Sequence, residues 1–117
     1  MAEFDATFKR VKEEINRIRQ DDPEIQNALD RYHGRSFVLT VNGDGIYVFH
    51  ISGGGIEYDL NPSSIPNDMH AKMDIGTARK LVKTQTLGIF DIPRIEYRNI
   101  GLNDIQFVRQ LFSRKRI

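Results

Sequence analysis

Few side chains here could do acid–base or metal chemistry at neutral pH: His33, His50 and His70, with no cysteine to join them. None falls into a His-Glu-x-x-His, His-x-His or His-x3-His pattern, the spacings that bring imidazoles onto one face of an element. His50 and His70 could still meet across strands, with Asp68 or Asp74 nearby. His50, His70 and Asp74 are the acid–base groups that an enzyme with a small apolar-substrate site would have to use. Nucleophilic hydrolysis lacks its parts. There is no Gly-x-Ser-x-Gly elbow, and Ser63-Ser64 sits in a proline-flanked loop without a nearby base. Asp21 and Asp22 are adjacent at a helix start, where the helix dipole accounts for them. No catalytic residue, metal or cofactor is expected.

The glycines invite a phosphate-loop reading, because bare backbone amides bind anions. Gly43-Asp44-Gly45 and Gly53-Gly54-Gly55 fail it on context. Phosphate loops join a strand to a helix, whereas both of these join strand to strand and supply the positive φ of hairpin turns. Nucleic-acid binding needs a basic face with exposed aromatics. Residues Ser36 to Pro66 contain no Lys or Arg, and Glu96 lies between Arg94 and Arg98, so no nucleic-acid partner is expected. The positive charge gathers instead at the end of the chain, in Arg109, Arg114, Lys115 and Arg116. Such a tip suits a helix C-terminus, and it also suits an anionic membrane surface, a phosphate or an acidic protein partner.

The elements that must hold these groups follow from periodicity. Phe4, Phe8, Val11, Ile15 and Ile18 recur at helical spacing, with Lys9, Arg10, Lys12, Glu13, Arg17 and Arg19 opposite. Asp22-Pro23 caps a second helix carrying Ile25, Leu29 and Tyr32, and Gly34 stops it. The period then changes to two. Phe37, Leu39 and Val41 form one strand face, residues 42–45 turn, and Ile46 to Ile51 return. After the second turn, Ile56, Tyr58 and Leu60 alternate with Glu57 and Asp59, giving a three-stranded antiparallel meander. A fourth strand places Met69, Ala71 and Met73 on one face and His70, Lys72 and Asp74 on the other. Asp74 caps a helix with Ile75, Ala78, Leu81 and Val82. A short strand over Arg94 to Ile100 follows, and Asn103 or Asp104 opens a last helix with Ile105, Val108, Leu111 and Phe112 on one face and Phe107 beside it.

The prediction is an α+β fold, an antiparallel-dominated mixed sheet of about five strands covered on one face by about four helices. The 117 residues make one domain, divided into a helical part over 1–34, strands over 35–74 and a helix-loop-strand-helix over 75–117. Net charge is +1, with 39% hydrophobic and 28% charged residues. These values exclude disordered and membrane-spanning classes. With no cysteine and no apolar leader, a cytoplasmic protein is expected.

The odd segment is the loop between the third helix and the short strand, where Leu87, Ile89, Phe90 and Ile92 replace the polar residues a surface connection needs. With Phe37, Phe49, Tyr58, Tyr97, Phe107, Phe112, Met69 and Met73 the chain holds a large, soft apolar inventory. Two readings stand side by side. These residues fill a core, or they leave an opening for an apolar ligand.

The hairpin IYVFHISGGGIEYDL, Met73-Asp74 before TARKLVK, and the closing IEYRNIGLNDIQFVRQLF together resemble a sterol-carrier-protein-2-like domain, over roughly Asp22 to Phe112. The resemblance implies a helix-covered sheet with an apolar tunnel between the layers. It implies non-catalytic binding or transfer of a fatty acid, acyl-CoA, sterol or isoprenoid lipid. Phe37, Leu39, Tyr58, Met73, Leu81, Leu87, Phe90, Phe107, Leu111 and Phe112 would then line the cavity. Arg114 and Lys115 would hold a headgroup, and the Thr84–Pro93 loop would gate entry. The alternative is a protein-interaction module, or the small subunit of an enzyme complex, with the same fold and a filled core. The chain lacks a Ser-Lys-Leu ending, so peroxisomal delivery is not indicated.

Overall fold

The computed structural model describes residues 2–84 and 95–112. Helices α1 (Asp5–Ile18) and α2 (Pro23–Arg31) open the chain, followed by strands β1 (Ser36–Asn42), β2 (Gly45–Ser52), β3 (Gly55–Leu60) and β4 (Met69–Asp74). Helix α3 (Ile75–Thr84), strand β5 (Glu96–Arg98) and helix α4 (Leu102–Phe112) complete it. The expected α+β architecture is what is found. The sheet has five strands in the order β3-β2-β1-β4-β5, antiparallel except for the β1–β4 pair.

Local chemistry explains the boundaries. The Asp22 carboxylate accepts hydrogen bonds from the backbone N–H groups of Glu24 and Ile25, and Pro23 starts α2 where no N–H donor is needed. Asp74 does the same for α3 through Thr77 N–H at 2.6 Å. Two expectations shift. The last strand spans only Glu96–Arg98 rather than 94–100, and α4 begins at Leu102, with Asp104 reaching back to accept from Gly101 N–H at 2.9 Å.

Period-two alternation sorts the sheet into two faces. Phe37, Leu39 and Val41 of β1 register with Phe49, Tyr47 and Gly45 of β2 and with Met69, Ala71 and Met73 of β4, and this face carries the helices. Helix α1 is latched to the sheet edge. The Asn16 side chain accepts from Ile56 N–H at 2.7 Å and donates to Ile56 C=O at 3.0 Å, so it takes the place of a strand neighbour for β3. Gly55 has φ +131, and a Cβ there would collide with that same Asn16 amide, so the latch requires glycine.

The opposite face is polar, with Ser36, Thr40, His50, Asp59, His70, Lys72 and Arg98 pointing out by the same registers. Val38 and Val48 on this face are nonetheless fully buried, apart from the main core cluster. Strands β3, β1 and β4 run in one direction, so residues 61–68 must return along the sheet and cross β2 and β1. Eight residues reach about 26 Å when extended, enough for that diagonal.

Candidate functional site: an apolar cleft between α1 and the α3–α4 pair

Helix α1 sits over β3, while α3 sits over β4 and β1. Between these helices the sheet floor is left partly uncovered, and a half-enclosed cavity of about 160 Å³ opens there. Among the described residues, Phe37, Leu39, Phe49, Ala71 and Met73 form its floor. Phe8 and Val11 of α1 form one wall, and Ala78, Leu81 and Val82 of α3 with Ile105 and Val108 of α4 form the other. Ile95, Tyr97 and Ile100 close the end at the β5 edge. Ala71 and Ala78, both buried, are the smallest side chains of the described lining.

The polar members of the lining are Thr7, Arg10, Arg109 and Tyr97. Both guanidiniums are exposed, and neither is ion-paired among the described residues. Tyr97 differs from them. It faces Ala71 across the β4–β5 ladder, and its hydroxyl is sealed from solvent without a hydrogen-bond partner among the described residues. Burial pushes its phenol above the ordinary value, so it stays protonated and able to donate.

Of the residues expected to line a cavity, Phe37, Leu39, Met73 and Leu81 do so. Tyr58, Phe107 and Leu111 lie elsewhere. Tyr58 donates to Asp5 at 2.9 Å under α1, and Phe107 stacks on Tyr32 with ring centroids 3.8 Å apart. Leu111 is buried in the core without touching the cavity. Phe112 lies at the end of α4, its side chain outside the described set, as are Leu87, Phe90, Arg114 and Lys115. Sequence reasoning missed Thr7, Phe8, Arg10 and Val11 as lining. For Phe8 and Val11 the signal was present in the α1 stripe, which had no assigned partner surface; Thr7 and Arg10 lie off that stripe.

The histidines do not assemble. Strand β1 lies between His50 on β2 and His70 on β4. His50 bridges Ser36 Oγ at 3.1 Å and Asp59 at 3.0 Å. None of these three residues lines the apolar cleft, and Ser36 is buried in β1. His70 Nδ1 accepts from the Arg98 guanidinium at 3.0 Å, which leaves Nε2–H to donate to Thr40 Oγ1 at 2.7 Å. Burial, then the charges of Arg98 and Lys72, hold the His70 pKa below its ordinary value. Asp74 is engaged as the α3 cap, and no group of three or more potential metal ligands occurs among the described residues.

An α+β domain with helices on one sheet face, a β3-β2-β1-β4-β5 order and an apolar cleft between the layers has the sterol-carrier-protein-2 fold. Solved structures carry that assignment. A protein described as a UbiJ-SCP2 ubiquinone synthesis protein superposes with a TM-score of 0.66 at 14% identity, covering 92% of this chain and 94% of that one. A sterol carrier protein 2 crystal structure gives 0.58 at 12% identity, covering 89% and 88%. The sterol carrier protein domain 2 of Helicoverpa armigera gives 0.57 at 18% identity, covering 92% and 88%. No protein-family model and no curated sequence matches the chain.

Proposed function

We propose that this chain is a non-catalytic carrier that holds the apolar chain of a lipid in the cleft between α1 and the α3–α4 pair. The observation that supports it most is the cavity itself, about 160 Å³ walled by aliphatic and aromatic side chains, with two cationic side chains on its rim. A void this size costs stability when empty and admits a benzene-sized guest. Each buried methylene contributes about 0.8 kcal/mol, so a medium acyl chain entering from the open side would bind usefully. Arg10 and Arg109 take the headgroup role foreseen for Arg114 and Lys115, and the same cations suit docking on an anionic membrane surface during loading and release.

Residues 1–117 would act as one domain around this cleft. No helix among the described residues is long and apolar enough to cross a membrane. Fatty acid, acyl-CoA, sterol and isoprenoid lipid all belong to the class to be tested. The isoprenoid gains weight from the neighbour described as a ubiquinone synthesis protein. The cleft weighs against the filled-core interaction module, which would have nowhere to place a chain.

The test is native mass spectrometry of the purified protein, followed by solvent extraction and titration with a fluorescent fatty acid. A co-purifying lipid or saturable uptake supports the carrier reading. A clean apo mass with no uptake overturns it in favour of the interaction module.

A further inference from the structure

The two walls of the cleft are held in different ways. On the α1 side, Phe4 N–H donates to the Tyr47 hydroxyl at 3.1 Å, the Tyr58 hydroxyl donates to Asp5 at 2.9 Å, and the Asn16 amide holds Ile56. These bonds run to β2 and β3, so α1 rides with the sheet. Helix α3 reaches that side through a guanidinium. Arg79 Nε donates to one Glu3 carboxylate oxygen at 2.7 Å, and a terminal nitrogen donates to the other at 2.7 Å, joining segments 76 residues apart in the chain. Glu3 stands two residues before α1, and its own N–H donates to the Asp44 carboxylate at 2.8 Å. Arg79 follows Ala78, and Thr7 and Phe8 lie in the opening turn of α1, all three lining the cleft. The pair therefore runs from one wall to the other.

A bidentate guanidinium–carboxylate pair fixes direction as well as distance. Both side chains are exposed, Arg79 by 58% and Glu3 by 38%, so the pair opens at little cost. The void beside it, about 160 Å³, holds a benzene-sized guest.

Resting on the carrier reading above, we propose that Glu3 and Arg79 form a clasp across the cleft that sets its width and so determines the size of guest it takes. Closed, the cleft admits small apolar guests. A long lipid chain enters as α3 parts from α1 and the pair separates. The clasp does not touch the guest. It acts by adding the free energy of the broken pair to the cost of binding each long chain, which makes it a positioning contact with a preference for short guests.

The experiment closes the clasp covalently. The chain has no cysteine, so Glu3→Cys with Arg79→Cys can be joined by a short bis-thiosulfonate spacer and released by reductant. Two neutral probes are compared: methyl parinarate, a long fluorescent chain, and hexafluorobenzene, followed by fluorine NMR. Bridged protein is expected to bind methyl parinarate about tenfold or more weakly than the same protein after reduction, with hexafluorobenzene binding unchanged. Without any bridge, Glu3→Gln should bind methyl parinarate about 2- to 5-fold more tightly than wild type, and Glu3→Arg with Arg79→Glu should return the affinity to the wild-type value.

Equal methyl parinarate affinity before and after reduction overturns the clasp and leaves the carrier reading standing. Weaker binding by Glu3→Gln does the same. Wild type that binds neither probe overturns the carrier reading, and the clasp falls with it.

Discussion

Under α1, rings cluster on the helix-covered face of the sheet, with Phe8 and Phe49 of that cluster bordering the cleft; toward α3 and α4 the lining of the same cleft turns mostly aliphatic. In the first region Phe8 meets Tyr47 and Phe49 edge to face, with centroids 4.9 and 5.4 Å apart, and Tyr58 lies 5.3 Å from Phe49. The ring hydroxyls there are satisfied. Tyr47 bonds to Asp44 and accepts from Phe4 N–H, and Tyr58 donates to Asp5. In the second region the described lining is mostly aliphatic, with two alanines and with Tyr97, whose hydroxyl has no hydrogen-bond partner among the described residues. Both regions draw on one continuous apolar cluster. The difference is side-chain volume at facing positions. Large rings can interdigitate closely, whereas Ala71 and Ala78 each bring only a methyl group to the cleft lining.

The sharpest way to break this contrast is to remove a buried side chain from each region. Ile15 of α1 is fully buried, so Ile15→Ala should cost about 2–5 kcal/mol in urea unfolding. Leu81 already borders the void and is half-buried, so Leu81→Ala should cost less than about 2 kcal/mol. Equal losses would mean that the second region is packed as well as the first.

The starts of β1 and β4 are tied together by an ion pair. The Asp68 carboxylate accepts from Arg35 through two guanidinium nitrogens at 2.8 and 2.9 Å, and from the N–H groups of Ser36 and Met69. Burial raises its pKa, but these hydrogen bonds and the Arg35 charge outweigh that and leave it below the ordinary value. A carboxylate with a depressed folded pKa contributes stability that is present above its unfolded value, near 3.9, and lost as pH falls through the folded one. Asp68→Asn should cost on the order of 2–3 kcal/mol at neutral pH and flatten the acid limb below about pH 4. Paired pH-dependent unfolding curves measure both.

Filling the cleft is the converse test. Ala78→Leu places three more carbons in the cleft and should weaken fluorescent fatty-acid binding by about tenfold or more while leaving stability unchanged or higher. A loss of about 1–3 kcal/mol instead would show overpacking, hence no usable space.

The smallest effect should come from His70, on the far side of the sheet from the cleft. Its imidazole is held between Thr40 and the Arg98 guanidinium, with Lys72 on its own strand, Glu96 on β5 and no acid bonded to it among the described residues. Its folded pKa is depressed, so the unfolded chain takes the proton first, and stability falls as pH drops below about 6.5. His70→Gln should flatten that slope between about pH 6.5 and 5. A wild-type curve without the slope would show that the Arg98 contact does not hold His70 neutral.

Much of this was legible in the residue order. Helical spacing from Phe4 to Ile18, the Asp22-Pro23 and Asp74 caps, the glycine turns and the strict alternation of β4 are short-range effects, encoded within a few neighbours. They sufficed for the element order and the α+β class, and the whole pattern pointed to the right fold. Half-legible was the site. Phe37, Leu39, Met73 and Leu81 were identified because they face inward, but facing inward is common to filling and lining, so Tyr58, Phe107 and Leu111 were included although they pack elsewhere.

Which apolar residue borders a void depends on what stands opposite, and that is set by long-range pairing. The parallel β1–β4 register brings Leu39 beside Ala71, α1 settles over β3 through Asn16, and β5 turns Tyr97 inward next to the same alanine. None of these neighbours is close in the chain. Periodicity assigns a side chain to a face; the volume left between two faces exists only once both are in place.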